Sequence, residues 1–257
     1  HLAKMPLPGR VVMRADLYLV QHGLIETRAK AQEAIAAGMV SADGQIVAKP
    51  SQKIAEGAVV LASPAHPYVS RAALKLVAGL DHFGVDPAGR TCLDVGSSTG
   101  GFTQVLLQRG AARVYAVDVG HGQLHPSLRE DARVISMEGV DARSLTRVDL
   151  PEPPSLIVCD ASFISLLKVI PNPMSLAANR ADLVALIKPQ FEVGRAAIGR
   201  GGLVKSARER DRAVADVRSA LDGLADFCVR DVMESPVKGG DGNQEYLIAA
   251  RRMIDPE

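Results

Sequence analysis

The chain has 257 residues, 47% of them hydrophobic, with 30 basic side chains against 29 acidic ones and a net charge of +1. That size and apolar share suit one large α/β domain plus a small module, and they exclude a disordered chain. The balanced charge excludes a uniformly basic nucleic-acid binder. Any RNA affinity must therefore sit on a local basic surface that acids elsewhere mask in the total.

Cys92, Cys159 and Cys228 form no CxxC pair, so no metal site is expected, and Cys92 and Cys159 lie in apolar runs as small core residues. No secretory signal is visible, and no apolar run approaches the roughly 20 residues that span a bilayer. A cytoplasmic, reducing location without membrane partners is the expectation.

In chain order, residues 1–12 carry two prolines and no periodicity and read as a leader outside the fold. Residues 13–62 read as a small α+β unit. Leu17, Val20 and Leu24, then Ala31, Ala34 and Ile35, recur at helical spacing. Gly23 and Gly38 close these two helices, and Thr27 caps the second. Asp43-Gly44 between short apolar runs signals a hairpin, and Val59-Val60-Leu61 supplies another strand. Residues 63–69 hold two prolines and read as an extended linker.

Residues 70–257 then alternate strands and helices. Ser70 caps a helix containing Leu74, Val77 and Leu80. Strands are expected at Cys92–Val95, Val114–Val117, Val134–Ser136, Leu156–Cys159, Leu183–Ile187 and Tyr246–Ala250, with helices at Phe102–Gln108 and Ser206–Gly223. This alternation predicts a Rossmann-like, doubly wound, mostly parallel sheet with an antiparallel last strand.

A strand running into Gly96-Ser97-Ser98-Thr99-Gly100-Gly101-Phe102 has the form of a nucleotide-binding turn. Asp94 narrows the choice. A carboxylate beside the turn would repel a pyrophosphate, which disfavours a dinucleotide oxidoreductase. It suits S-adenosyl-L-methionine, which carries a sulfonium and an ammonium and no phosphate. Asp118, at the end of the next strand and followed by Val119, stands where a ribose diol is held. Asp141, after the third strand, is placed to accept from an adenine amino group. Asp160 and Lys188 end apolar strands and Glu245 begins the last one. In such a sheet ligands bind at the carboxyl edge of the parallel strands, and an antiparallel last strand starts at that edge. The three groups are therefore expected to meet.

Five stretches carry a resemblance. They are Ser70-Arg71-Ala72-Ala73-Leu74-Lys75-Leu76, Asp94 to Thr103, Asp118-Val119-Gly120-His121-Gly122-Gln123-Leu124, Asp160-Ala161-Ser162-Phe163-Ile164-Ser165-Leu166 and Ile187-Lys188-Pro189-Gln190-Phe191-Glu192. The chain resembles the TlyA family of ribosomal RNA cytidine 2′-O-methyltransferases, also called hemolysin A, within the wider FtsJ-type class. The resemblance implies a Lys-Asp-Lys-Glu tetrad at Lys75, Asp160, Lys188 and Glu245. It also implies S-adenosyl-L-methionine as methyl donor and ribosomal RNA or ribosomal subunits as partner. Lys188 would activate the hydroxyl, either as a base or as a cation beside the developing charge.

Residues 13–62 resemble the alpha-L RNA-binding module, with Arg14, Arg28, Lys30, Lys49 and Lys53 as candidate phosphate contacts. Arg71, Arg195, Arg200 and Lys205 are candidates in the second domain. Two rivals remain: a membrane-active hemolysin, against which the lack of a spanning segment argues, and a non-catalytic ribosome-assembly factor, against which the retained tetrad argues.

Overall fold

The computed structural model describes residues 12–255, and its contacts divide the chain into one unit up to Pro67 and another from Tyr68. No helix among the described residues is long and apolar enough to cross a membrane.

The first unit contains β1 (Val12–Arg14), α1 (Ala15–Gln21), α2 (Arg28–Ala36), β2 (Val40–Ala42), β3 (Gln45–Ile46), β4 (Lys53–Ala55) and β5 (Val60–Ala62). β1 pairs antiparallel with β4, and β3, β2 and β5 make a second small sheet. α2 starts where Thr27 Oγ1 accepts from the Lys30 amide at 3.3 Å. The β2–β3 hairpin turns through Asp43 and Gly44 at φ +50° and +78°, the left-handed pair that matches strand twist. Two expectations change here. Val12 lies in β1 rather than in a leader, whose remaining residues fall outside the described ones. α1 buries Ala15, Tyr18 and Leu19, while Leu17 and Leu24 stay exposed. A helix of two turns is too short for an apolar repeat to fix its inner face.

The second unit runs α3 (Ala72–Phe83), β6 (Thr91–Val95), α4 (Gly101–Gln108), β7 (Arg113–Asp118), α5 (Pro126–Arg129), β8 (Val134–Glu138), β9 (Leu156–Cys159), α6 (Leu166–Val169), α7 (Pro171–Ser175), β10 (Arg180–Ile187), α8 (Pro189–Glu192), α9 (Ala207–Leu221), β11 (Phe227–Glu234) and β12 (Tyr246–Met253). Its sheet has the order β11-β12-β10-β9-β6-β7-β8, parallel from β10 through β8, with β12 antiparallel to both neighbours. Alternate residues feed two cores. Leu93, Val95, Ile157, Cys159, Leu183 and Ala185 face one layer, and Cys92, Leu156, Val158, Val184 and Leu186 the other. Burial on both faces explains the continuous apolar runs. Each such branched side chain contributes about 1.5–3 kcal/mol. The central strands therefore make a firm base for the ionisable groups at their ends.

α3 packs Ala73, Leu76 and Leu80 into the second layer, and of the expected Leu74 and Val77, both half-buried, Val77 packs against the edge of that layer. Tyr68 and Val69 also pack on that layer, which shortens the expected linker. Strand order reverses at β6, between β9 and β7, and this opens a crevice at the carboxyl ends.

Candidate functional site

Lys75, Asp160, Lys188 and Glu245 line one cavity of 340 Å³ at that crevice. They form two ion pairs. Lys75 Nζ lies 2.5 Å from Glu245 Oε2, and Lys188 Nζ lies 2.6 Å from Asp160 Oδ1. The second pair is close but poorly angled. The aligned hydrogen bond of Lys188 Nζ goes to Ser162 Oγ at 2.8 Å. Lys75, Lys188 and Glu245 are buried. Removing one member of such a pair strands a buried charge, a loss of about 3–5 kcal/mol.

Local structure delivers each group. Pro189 at the first helical position ends β10 sharply, leaving Lys188 at the cap of α8. β12 runs against β10, so Glu245 precedes it at the same edge where Lys188 follows β10. Gly239 lies so close to Glu245 that a Cβ there would stand 2.5 Å from Oε1. Glu192 fastens the segment after Asp160, accepting from Ser165 Oγ and the Leu166 amide, each at 2.7 Å.

The glycine turn leaves β6 through Gly96, at φ +82°, where a Cβ would stand 2.9 Å from the Asp160 carbonyl oxygen. Turn and strand end touch only because that atom is missing. Gly96, Ser97, Ser98, Gly101 and Phe102 all line the tetrad cavity, while Gly100 packs beneath against Leu124 and Leu128. Asp94 is fully buried and lines neither this cavity nor its neighbour. Its Oδ2 accepts from Thr103 Oγ1 at 2.7 Å, its Oδ1 has no partner, and burial pushes its acid up to about 7. It braces the turn against α4 from below, rather than facing a ligand directly. Burial also pushes the Cys92 and Cys159 thiols up to about 12, which leaves them unreactive.

A second cavity of 510 Å³ lies on the other side of the Gly96–Asp160 contact. Asp118, Val119, Asp141 and Arg143 line it, and it shares Gly96, Ser98, Asp160, Ser162 and Phe163 with the first. Asp118 accepts from the Ser98 and Gly120 amides at 2.8 and 2.7 Å, so it shapes the loop as well as facing the cavity. Asp141 accepts from the Arg143 guanidinium at 2.6 Å, which holds its carboxyl below the ordinary range. A ligand amine there must share Asp141 with Arg143.

The candidate phosphate contacts separate into engaged and open groups. Arg14 and Arg28 both point at the buried Asp16, at 3.0 and 2.9 Å, and Lys30 pairs with Glu26 at 2.6 Å. Lys49, Lys53, Arg195, Arg200 and Lys205 are exposed, and Arg71 is half-buried.

Residue pattern alone did not mark Ser162, Phe163, Gln190 or Asp241, all of which line the tetrad cavity. Phe163 is 91% exposed at φ +63°, with its ring centroid 5.5 Å from that of Phe191. An apolar side chain held out in a left-handed conformation is the available signal for it, and only coordinates reveal that.

Two family models match the chain: FtsJ-like methyltransferase over residues 68–252 and S4 domain over residues 13–60. The 16S/23S rRNA (cytidine-2′-O)-methyltransferase TlyA of Mycobacterium tuberculosis is 44% identical, over 94% of this chain and 91% of the relative. Hemolysin A of Brachyspira hyodysenteriae is 40% identical, over 91% of this chain and 98% of the relative. A solved Streptococcus thermophilus structure described as a hemolysin superposes with a TM-score of 0.74 at 39% identity, covering 95% of this chain and 90% of that one. The chain belongs to the FtsJ-like methyltransferase family, with an S4 domain ahead of the methyltransferase part.

Proposed function

We propose that this protein transfers the methyl group of S-adenosyl-L-methionine to the 2′-hydroxyl of a cytidine in ribosomal RNA, acting on ribosomal subunits in the cytoplasm. One observation carries the reading: two ion pairs, Lys75–Glu245 and Lys188–Asp160, with three of the four side chains buried, in a cavity lined by the glycine turn that shares Gly96, Ser98 and Asp160 with a second one. The relatives named as rRNA (cytidine-2′-O)-methyltransferases support the choice of nucleotide and RNA.

The second cavity suits a cationic, phosphate-free donor. Its ionisable walls are Asp118, Asp141 and Asp160 against Arg143 alone, and the glycine turn lets backbone approach closely. When bound, the donor supplies an electrophilic methyl carbon on a sulfonium. Asp160 and Ser162 hold the Lys188 amine at the boundary between the two cavities. From there Lys188 orients the ribose hydroxyl. As the neutral amine it accepts the departing proton; as the ammonium it stabilises the developing oxyanion while the proton leaves to solvent. Lys75, fixed by Glu245, keeps a second positive charge at the same cavity. Phe163 offers an exposed aromatic face on which an unstacked base can lie. Lys49 and Lys53 in the first unit, and Arg71, Arg195, Arg200 and Lys205 in the second, supply phosphate contacts that position the RNA.

The test uses labelled S-adenosyl-L-methionine with separate ribosomal subunits, followed by mapping of ribose methylation. Lys188→Ala is expected to lower transfer by about 10²–10⁴-fold while cofactor binding persists. Full transfer by that variant overturns the mechanism.

A further inference from the structure

Gln190 lines the tetrad cavity two residues beyond Lys188, with only 8% of its surface exposed. Its Nε2 donates to Asp241 Oδ2 at 3.1 Å. Asp241 is fixed in turn: Oδ1 accepts from the Asn243 amide at 3.0 Å, and Oδ2 accepts from Asn243 Nδ2 at 2.8 Å. Asn243 is itself buried and anchored, since its Oδ1 accepts from the Val204 amide and its Nδ2 donates to the Gly202 carbonyl. An ionised carboxylate only accepts. The Gln190 amide must therefore turn its NH2 toward Asp241, because the flipped amide would set carbonyl oxygen against carboxylate oxygen. Oε1 is left on the other side, buried and without a partner. An unmet buried acceptor costs free energy. Gln190 lines the cavity, so a ligand seated there can supply the missing donor as the side chain adjusts to it.

Resting on the ribose-methylation reading above, we infer that Gln190 Oε1 accepts a hydrogen bond from the exocyclic amine of the target cytosine and so selects cytidine over uridine. Within an RNA chain the 3′ and 5′ oxygens are esterified. The hydrogen-bond donors left on a cytidine are the 2′-hydroxyl, which belongs to Lys188, and the 4-amino group. Uracil places a carbonyl oxygen where that amine stands, so two acceptors would meet. Ser97, whose buried hydroxyl also lacks a partner on this cavity wall, can donate or accept and so does not discriminate.

The experiment measures kcat/KM on ribosomal subunits that carry cytidine or uridine at the mapped nucleotide. Transfer to the cytidine subunit by the wild-type protein reads out the underlying function, and the cytidine-to-uridine ratio reads out Gln190. Gln190→Leu keeps the volume and removes the acceptor. It is expected to lose about 10- to 100-fold on cytidine and little on uridine, with calorimetric binding of S-adenosyl-L-methionine unchanged. Asp241→Asn frees the Gln190 amide to flip and is expected to bring the ratio toward unity without removing Gln190. An equal loss on both substrates, or a wild-type ratio in both variants, overturns the assignment and leaves Gln190 as a packing residue met by water.

Discussion

Asp94→Asn isolates the cost of a carboxyl buried beneath the glycine turn. Asp94 has no exposed surface, and burial raises its acid from 3.8 to about 7. Below about pH 4 the group is protonated in folded and unfolded chains alike. Between there and pH 7 the unfolded chain releases its proton while the folded chain keeps it, so stability falls as pH rises. Above pH 7 both states are ionised and the loss is complete. At about 1.4 kcal/mol per pH unit the total is roughly 4 kcal/mol, of which roughly 2–3 kcal/mol falls between pH 5 and 8. Asparagine does not ionise, so the variant should lack this slope. Its NH2 lacks a partner, which adds a constant penalty of about 1–3 kcal/mol but no pH dependence. Urea denaturation followed by far-UV circular dichroism at pH 5 and pH 8 gives both differences. Parallel pH dependences for the two proteins would refute the reasoning.

Gly100→Ala should destabilise the second unit by about 2–4 kcal/mol, read as a lower Tm, because φ is +99° and the new Cβ overlaps Leu128. Asp16 is held well below the ordinary carboxylate range, chiefly by its hydrogen bond from Arg14, which outweighs burial with help from Gln32 and Arg28. Its contribution is present above the unfolded pKa and lost on acidification through the folded one. Asp16→Asn should therefore weaken the first unit by about 3 kcal/mol at neutral pH and least in acid, measured by hydrogen exchange at the Leu19 and Ala31 amides. Replacing Lys49 and Lys53 together by glutamine should leave folding unchanged and reduce the slope of log affinity against log salt for ribosomal RNA by about 2. An unchanged slope removes those lysines from the interface.

The strands β6, β7, β9 and β10 were legible because a strand buried on both faces must be apolar throughout, and Asp160 and Lys188 stood out as charges ending such runs. β11 escaped notice for a physical reason. It is an edge strand with a bulge between Val229 and Asp231, which shifts its alternation out of phase halfway along. β1 and β4 are three residues each, too short for any period to show. Lys75 was reachable only through family resemblance, since one lysine on an amphipathic helix reads as a solvated charge. Its burial depends on Glu245, 170 positions away in the chain. Arg14 and Arg28 were expected as phosphate contacts, while Asp16 beside them reads as an ordinary first-turn acid. The sequence does not show that both arginines converge on it.

β12 enters the sheet between β10 and β11, and the residue before its first is Glu245. A nascent chain that has not yet delivered this segment holds β10 with an unpaired edge and Lys75 without its counter-anion. The glycine turn, Asp160 and Lys188 all precede it, so that part of the crevice can form while the tetrad cavity is still missing a wall. Until Glu245 is in place, the crevice holds three of its four charges.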